Sequence, residues 1–207
     1  MPAYDAGACC KKAAMQIGKN LNGKIILQTK RCIVRELTMD DMDALYELYG
    51  PPEITRFVEP LYEREKELEY QQNYIHRIYG GYGYGMWAVI DKESGSLIGR
   101  IGVEGHPEDA LPDCVKQDVA ENDHLAGNVF DVVELGYIVA AEWQRKGIAA
   151  EVCAAVLDYA RDVLEMRCAY ARIHPDNVAS IRLAQSLGFT ETDEIVDGER
   201  IWYRALQ

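Results

Sequence analysis

Six residues, Gln144-Arg145-Lys146-Gly147-Ile148-Ala149, put two cations and a glycine where an apolar run gives way to an amphipathic segment. A helix that begins there leaves backbone N–H groups without partners and carries partial positive charge, so the joint is a preformed anion site. Gly147 lets the backbone approach an anion closely, and Arg145 and Lys146 suit a pyrophosphate better than a single carboxylate. An ordinary strand-to-helix loop with a solvated basic pair would read the same way over these six residues alone. Two further groups carry chemistry. Glu134 lies on the strand that leads into the loop and alternates onto the face of Gly136 and Ile138, as a general base or as an ion-pair partner for Arg100 or Arg172. Glu104, at the end of another strand, is the second candidate base, or else an exposed strand-end carboxylate. Asn177 with Ser180 opens a later helix, where the asparagine by itself is equally a helix N-cap.

The elements that must position these residues read as a mixed α/β fold. Segments 25–27 and 32–37 form a first strand or hairpin, and Thr38-Met39-Asp40-Asp41 fits a capping box that opens a helix with Met42, Leu45, Tyr46 and Tyr49 on one face. That helix stops before Gly50-Pro51-Pro52, and a second is predicted over 63–79 with Leu68, Ile75 and Ile78 inward. The glycine-rich run 80–85 lacks the G-x-G-x-x-G spacing and leads into a strand, so it reads as a flexible connection. Strands over 86–91 and 97–104 form a hairpin across Lys92-Glu93-Ser94-Gly95. A strand over 132–139, a helix from 149 with Val152, Cys153, Val156, Leu157, Ala160 and Val163 at helical spacing, and a strand over 168–173 predict a parallel crossover. A helix over 177–187 closes at Gly188, and strands 192–196 and 200–205 pair across the Asp197-Gly198 turn.

Composition narrows the classes of function. Of 207 residues nearly half are hydrophobic, enough for one substantial core with residues 1–24 as an extension outside it. The net charge of −12 offers no basic stripe for nucleic acid and favours cationic partners. No apolar run approaches a bilayer span and residues 1–12 lack a signal-peptide pattern, which predicts no membrane partner and a cytoplasmic protein. Six cysteines without C-x-x-C spacing read as reduced structural thiols, with no metal site expected; the adjacent Cys9 and Cys10 alone invite a metal or redox reading. The stretch 105–128 is acidic, contains Pro107 and Pro112, and is too long for an ordinary connection, so it reads as a mobile loop or a functional flap.

Residues 144–149 resemble the Q/R-x-x-G-x-G/A motif of the GCN5-related N-acetyltransferase (GNAT) family. The stretches 133–151, 87–103 and 174–189 are similar, in order, to further segments of its ribosomal-protein N-terminal acetyltransferase-like branch. The resemblance covers about 25–206. It implies the GNAT fold, with central strands splayed at the cofactor site, and transfer of acetyl from acetyl-coenzyme A to an amine. Backbone N–H groups of Arg145, Lys146, Gly147, Ile148 and Ala149, next to Gln144, would cradle the pyrophosphate. Gly136, Tyr137, Ile138 and Val139 would pair with the pantetheine arm, and the N–H near Ile138 would polarise the thioester carbonyl. Asn177 would bond the pantetheine amide. Many members have a tyrosine in the last helix to protonate the leaving thiolate, but the matching position is Ala184. Ser180 is then placed to steady the sulfur, with Tyr170 a remote alternative. His106 and His174, each before a proline, read as exposed loop histidines. The acceptor expected first is a protein N-terminal amine; a small amine such as a polyamine, amino acid or antibiotic is the alternative. A noncatalytic coenzyme-A-binding module is the rival from another class, and a homodimer has room in this reading.

Overall fold

The computed structural model describes residues 22–121 and 131–206. The extension over 1–21, with Cys9 and Cys10, and segment 122–130 of the acidic stretch lie outside the described residues. Eight strands form one mixed sheet: β1 Ile25–Gln28, β2 Cys32–Arg35, β3 Met86–Asp91, β4 Leu97–Glu104, β5 Val132–Val139, β6 Cys168–Ile173, β7 Thr190–Val196 and β8 Glu199–Ala205. Their spatial order is β1-β2-β3-β4-β5-β6-β8-β7. Neighbours are antiparallel except β5 and β6, which are parallel and joined through a helix. That one crossover places the loop of residues 144–149 at the end of a central strand.

Period-two alternation sorts the side chains onto two faces. Trp87, Ile101, Val103, Val133, Leu135, Ala169 and Trp202 share one face and are all buried. The helices on that side are α5 (Ile148–Asp162), whose Val152, Cys153, Val156 and Ala160 are fully buried, and α6 (Val178–Ser186). The Trp87 ring meets Tyr159 of α5 edge-on at 5.7 Å. The other face carries Arg35, Met86, Arg100, Gly102, Glu104, Glu134, Gly136, Tyr170 and Arg172, so nearly all the polar chemistry of the sheet is on one side.

Over the β1–β4 part of this second side lie α1 (Met42–Tyr49), α2 (Pro52–Thr55) and α3 (Arg64–Tyr74), which runs on through a five-residue π-helical turn, Ile75–Tyr79. The start of α1 is fixed as expected by Thr38 and Asp41, whose carboxylate accepts the Thr38 N–H at 2.8 Å. Helix α2 was not expected after Gly50-Pro51; Pro52 stands at its first position, where a missing N–H costs nothing.

The inward face expected for α3 packs on the core but is not its most buried part. Leu68, Ile75 and Ile78 are only partly buried, and Glu67, Gln71, Tyr74 and Tyr79 take the interior positions. Glu67 is satisfied at both oxygens: Gln71 Nε2 donates to Oε1 at 2.8 Å and Oε2 accepts the Tyr62 N–H, while the buried Gln71 Oε1 has no hydrogen-bond partner. The π turn adds a residue to the local repeat, so Tyr74 and Tyr79, five apart, both reach the sheet and stack edge-on at 5.6 Å.

The reading of 105–128 as a mobile loop is corrected for its described part. Residues Glu108–Ala110 form a 3-10 turn, and α4 spans Asp113–Glu121. Leu111 and Val115 are buried against Val132, Cys168, Tyr170 and Ile201. The Glu194 carboxylate of β7 caps α4 by accepting the N–H groups of Asp113 and Cys114 at 2.8 and 2.7 Å. The stretch therefore lies over the β5-β6-β8 part of the second face.

Candidate active site

Strand β5 pairs with β6 only through Val132, Val133 and Glu134, opposite Cys168, Ala169 and Tyr170. From Leu135 to Val139 β5 keeps its β4 partners and has no β6 partner, so the parallel strands part there and leave backbone groups of β5 facing a gap. The gap leads into the loop of residues 144–149. Arg145 and Gly147 have φ of 57° and 75°, left-handed values that alternate with ordinary ones and turn successive N–H groups to one side. Among the described residues, no backbone N–H from Arg145 to Ala149 makes a close, well-aligned bond to a backbone carbonyl, although α5 begins at Ile148. A loop of unclaimed donors at a helix N-terminus, continuous with an unpaired strand edge, fits a pyrophosphate followed by an amide-bearing arm.

The side chains of the loop do other work. Gln144 Nε2 donates to the Val139 carbonyl at 3.1 Å and ties the loop to the end of β5. Lys146 lies with its ammonium 4.9 Å from the Trp143 ring centroid. Arg31, in the β1–β2 turn, was missed in the sequence: its Nε and backbone N–H hold Glu151 of α5 at 2.7 and 2.8 Å, and its Nη1 donates to the Lys146 carbonyl at 2.7 Å. In a trans peptide C=O and N–H point opposite ways. Holding the Lys146 carbonyl toward Arg31 therefore turns the Gly147 N–H away from it, toward the open side of the loop.

On α6, Asn177 is an N-cap: its Oδ1 accepts the Ser180 N–H at 3.2 Å. Ala184 is buried in the core. A tyrosine hydroxyl reaches this helix from the strand instead, Tyr137 donating to the Ser180 carbonyl at 3.3 Å, and burial pushes that phenol up to about 12.

Glu104 and Glu134 face each other directly across β4 and β5. Like charges so placed repel unless each is otherwise engaged. Tyr74 donates its hydroxyl to Glu104 Oε1 at 2.6 Å. Of the two partners considered for Glu134, Arg172 is the one found, Nε to Oε1 at 3.2 Å, and Arg100 is not. The exposed-loop reading of His106 is corrected: its Nε2 lies 3.0 Å from Glu134 Oε2, an ion-pair distance with a bent geometry. Burial raises the Glu134 carboxyl, and His106 with Arg172 outweighs it, leaving the group below its ordinary range. Glu134 in turn holds the His106 imidazole above its ordinary 6.5, against burial. Tyr170 is pushed upward by burial and by Glu134, which removes it as a ready acid.

A strand edge opened by parting parallel strands, ending in a donor-lined loop and flanked by two facing carboxylates, makes up the candidate site. The sequence model of the acetyltransferase (GNAT) domain matches residues 31–190, and the chain belongs to this family. It is an acetyltransferase of the GNAT type, a family that uses acetyl-coenzyme A. The Bacillus subtilis protein YkkB, of uncharacterised function, is 29% identical over 169 residues, covering 81% of this chain and 87% of its own. Among solved structures, an acetyltransferase from Agrobacterium tumefaciens matches with a TM-score of 0.66 at 22% identity, over 86% of this chain and 92% of its own. A chimera of the Vibrio cholerae spermidine N-acetyltransferase matches with a TM-score of 0.64 at 18% identity, over 86% of this chain and 96% of its own. At these identities the structural likeness carries the fold and leaves the acceptor open. No described helix is long and apolar enough to cross a membrane.

Proposed function

We propose that the chain acetylates a primary amine by direct attack in a ternary complex, with the two substrates meeting where β5 leaves β6. The observation that carries this reading is the unpaired run Leu135–Val139 continuing into the unclaimed N–H groups of 145–149. When bound, acetyl-coenzyme A supplies an acetyl group activated as a thioester. The chain's own groups do the rest. N–H groups of Arg145 to Ala149 hold the phosphates, the β5 edge from Gly136 to Val139 aligns the pantetheine arm, and a gap-facing N–H beside Ile138, that of Tyr137 or Val139, donates to the carbonyl oxygen as negative charge develops, the Ile138 N–H itself being turned to β4. Asn177 keeps its amide nitrogen for the same arm while its oxygen caps α6. Ser180 faces the departing sulfur.

An ammonium has no lone pair, so a group must take its proton before attack. We assign this to Glu134 acting with His106. Glu134 Oε2 lies 3.0 Å from His106 Nε2 and favours a proton on that ring, so the pair can take up the proton together; a raised imidazole pKa lies nearer to neutral pH than a depressed carboxyl does. Glu104, across the strand, faces the same ammonium and is the second base candidate.

A protein N-terminal amine is the acceptor that the family branch implies. A small amine is the second reading, favoured by the two carboxylates, Glu104 and Glu134, that face each other across β4 and β5. The deciding experiment measures thiol release from acetyl-coenzyme A over a panel of small amines and N-terminal peptides, with a no-acceptor blank for the protein's own thiols. Acceptor-dependent release is expected. Tight coenzyme binding with no release on any amine would make the chain a noncatalytic coenzyme-A-binding module.

A further inference from the structure

Two buried guanidinium groups stand on the acceptor side of the sheet, on strands separated only by β3: Arg35 faces Ala88 in register, and Ala88 faces Arg100. Arg35 is 0% exposed, and Asp41 holds it through two bonds of 2.7 Å. Arg100 is 7% exposed, and among the described residues no carboxylate pairs with it. Its Nη1 reaches the Tyr49 hydroxyl only at 3.4 Å, its guanidinium carbon lies 5.3 Å from the Tyr74 ring centroid, and its buried Nε has no hydrogen-bond partner.

The nearest tyrosine hydroxyls already have other partners. The Tyr74 hydroxyl donates to Glu104 and accepts the Met86 N–H, and the Tyr79 hydroxyl donates to the Met86 carbonyl and accepts the Leu37 N–H. Glu104, on the same face of the strand, accepts from Tyr74 through Oε1 and, among the described residues, forms no ion pair with Arg100. Removing a guanidinium from water is costly unless an anion and good hydrogen bonds compensate, and guanidinium geometry matches a carboxylate bidentately. The fold supplies a carboxylate at Arg35 and only tyrosine contacts at Arg100. The π turn that brings Tyr74 and Tyr79 around Arg100 is a distortion often found at functional sites.

We propose that Arg100 binds a carboxylate carried by the acceptor, so that the acceptor is a zwitterion, an amine and a carboxylate on one molecule. The proposal rests on the acetyl-transfer reading above and adds the substrate class. Glu104 lies four residues along β4 from Arg100, roughly 13 Å between backbones, and both side chains are long enough to close most of that gap. The acceptor's carboxylate would sit on Arg100 with its amine toward Glu104 and the Glu134–His106 pair. A free amino acid and a peptide with an acidic residue next to its N-terminus both present this chemistry.

Two measurements on the full-length chain test it. The first is thermal unfolding of Arg35→Met and Arg100→Met. Arg35→Met strands the buried Asp41 and should lower Tm; Arg100→Met removes an uncompensated charge and keeps an apolar stem, so Tm should hold or rise. A fall as large as that of Arg35→Met makes Arg100 a structural residue and overturns the proposal.

The second compares kcat/KM, at saturating acetyl-coenzyme A, within two acid and amide pairs: leucine against leucinamide, and the peptide amide Ala-Glu-Ala against Ala-Gln-Ala. The acid should win in one pair by roughly ten- to a hundredfold, the worth of a charge-assisted bond, and Arg100→Met should bring the ratio toward one. Leucinamide's less basic amine biases its pair against this result. Preference in the first pair identifies an amino acid, and in the second an acidic peptide. Equal turnover within both pairs overturns the carboxylate site and leaves acetyl transfer standing. If no amine at all releases thiol, acetyl transfer falls instead. The site is then judged by Tm with coenzyme A present: a rise with the acids that Arg100→Met abolishes supports it, and no rise overturns it.

Discussion

The two sides of β5 are built from different materials. Toward the gap, the site consists of backbone: an unpaired strand edge and N–H groups turned by left-handed residues. Toward α1 and α3, it consists of side chains, with Glu134, Glu104, Arg100, Tyr74 and His106 supplied by four separate segments. A backbone site depends on conformation and tolerates many residue types, whereas a side-chain site fails when one partner changes. One side suits a coenzyme common to a family, the other an acceptor particular to this chain.

The largest expected effect breaks the backbone side at its most constrained point. Gly147 has φ of 75°, where another residue costs about 1–2 kcal/mol. A Cβ there would meet nothing closer than Arg31 Nη2 at 3.5 Å, so strain and charge decide the outcome, not collision. Gly147→Glu adds a negative charge at the proposed phosphate loop, and affinity for acetyl-coenzyme A should fall about a hundredfold or more while the fold is kept. Gly147→Ala, which adds strain alone, should cost roughly tenfold. Calorimetry checks both; unchanged affinity for the folded Glu variant would take the loop out of the site.

On the side-chain face, Glu134→Gln should lower kcat by roughly a hundredfold with coenzyme affinity intact, the usual contribution of a positioned acid–base group. Because Glu134 and His106 act as one unit, the double variant with His106→Gln should fall little further. The pH profile carries a sign. Glu134 raises the imidazole pKa, and the base must be unprotonated, so kcat/KM should rise with pH through a value above 6.5. The stabilising effect of the charged pair runs the other way: it is full below 6.5 and lost as pH rises through the folded value. If Glu104 is the base instead, Glu134→Gln leaves kcat nearly unchanged and Glu104→Gln takes the loss.

This division also governs what was legible in the sequence. The strands over 86–91, 97–104, 132–139 and 168–173 emerge with their expected bounds, because local alternation and turn residues specify them. Loop 144–149 is legible for the same reason, its glycine and helix start being contiguous. The partners of Glu134 are not, since His106 and Arg172 meet it only through sheet register. The acidic stretch hides Leu111 and Val115 among charges and prolines, and two apolar residues are too few to establish a period. In α3 the buried face is polar, with Glu67, Gln71 and two tyrosines, so a search for an apolar stripe finds the flanking residues instead.

Arg31 sharpens the comparison at smaller scale, because it is a side chain serving the backbone site. It grips the Lys146 carbonyl and Glu151 at once. Arg31→Ala removes a partly exposed contact, so acetyl-coenzyme A affinity should weaken about five- to tenfold, near 1 kcal/mol, with kcat at saturating coenzyme little changed. Arg31→Lys, which cannot bridge both acceptors in one plane, should recover only part of the loss. A kcat effect as large as the affinity effect would mean that Arg31 acts on the reaction rather than on the loop.

The smallest effect concerns the surface around the acceptor side, where the insertion contributes exposed Glu108, Asp109 and Asp113 above the face that carries Glu134. With a net charge of −12, the chain should draw cationic acceptors inward over distances set by the Debye length, about 30 Å at 0.01 M salt and about 10 Å at 0.1 M. A polyamine should therefore lose kcat/KM across that range while kcat stays nearly constant. A zwitterion has no net charge to steer, so its kcat/KM should be nearly flat in salt, whatever Arg100 does once contact is made. Because Leu111 and Val115 are part of a packed cluster, the test should neutralise charge and keep the segment: Glu108→Gln, Asp109→Asn and Asp113→Asn together. The triple variant should flatten the polyamine's salt slope and leave the zwitterion's untouched. If the polyamine's slope survives neutralisation, the field arises elsewhere on the surface, and the insertion serves the site only by covering the sheet.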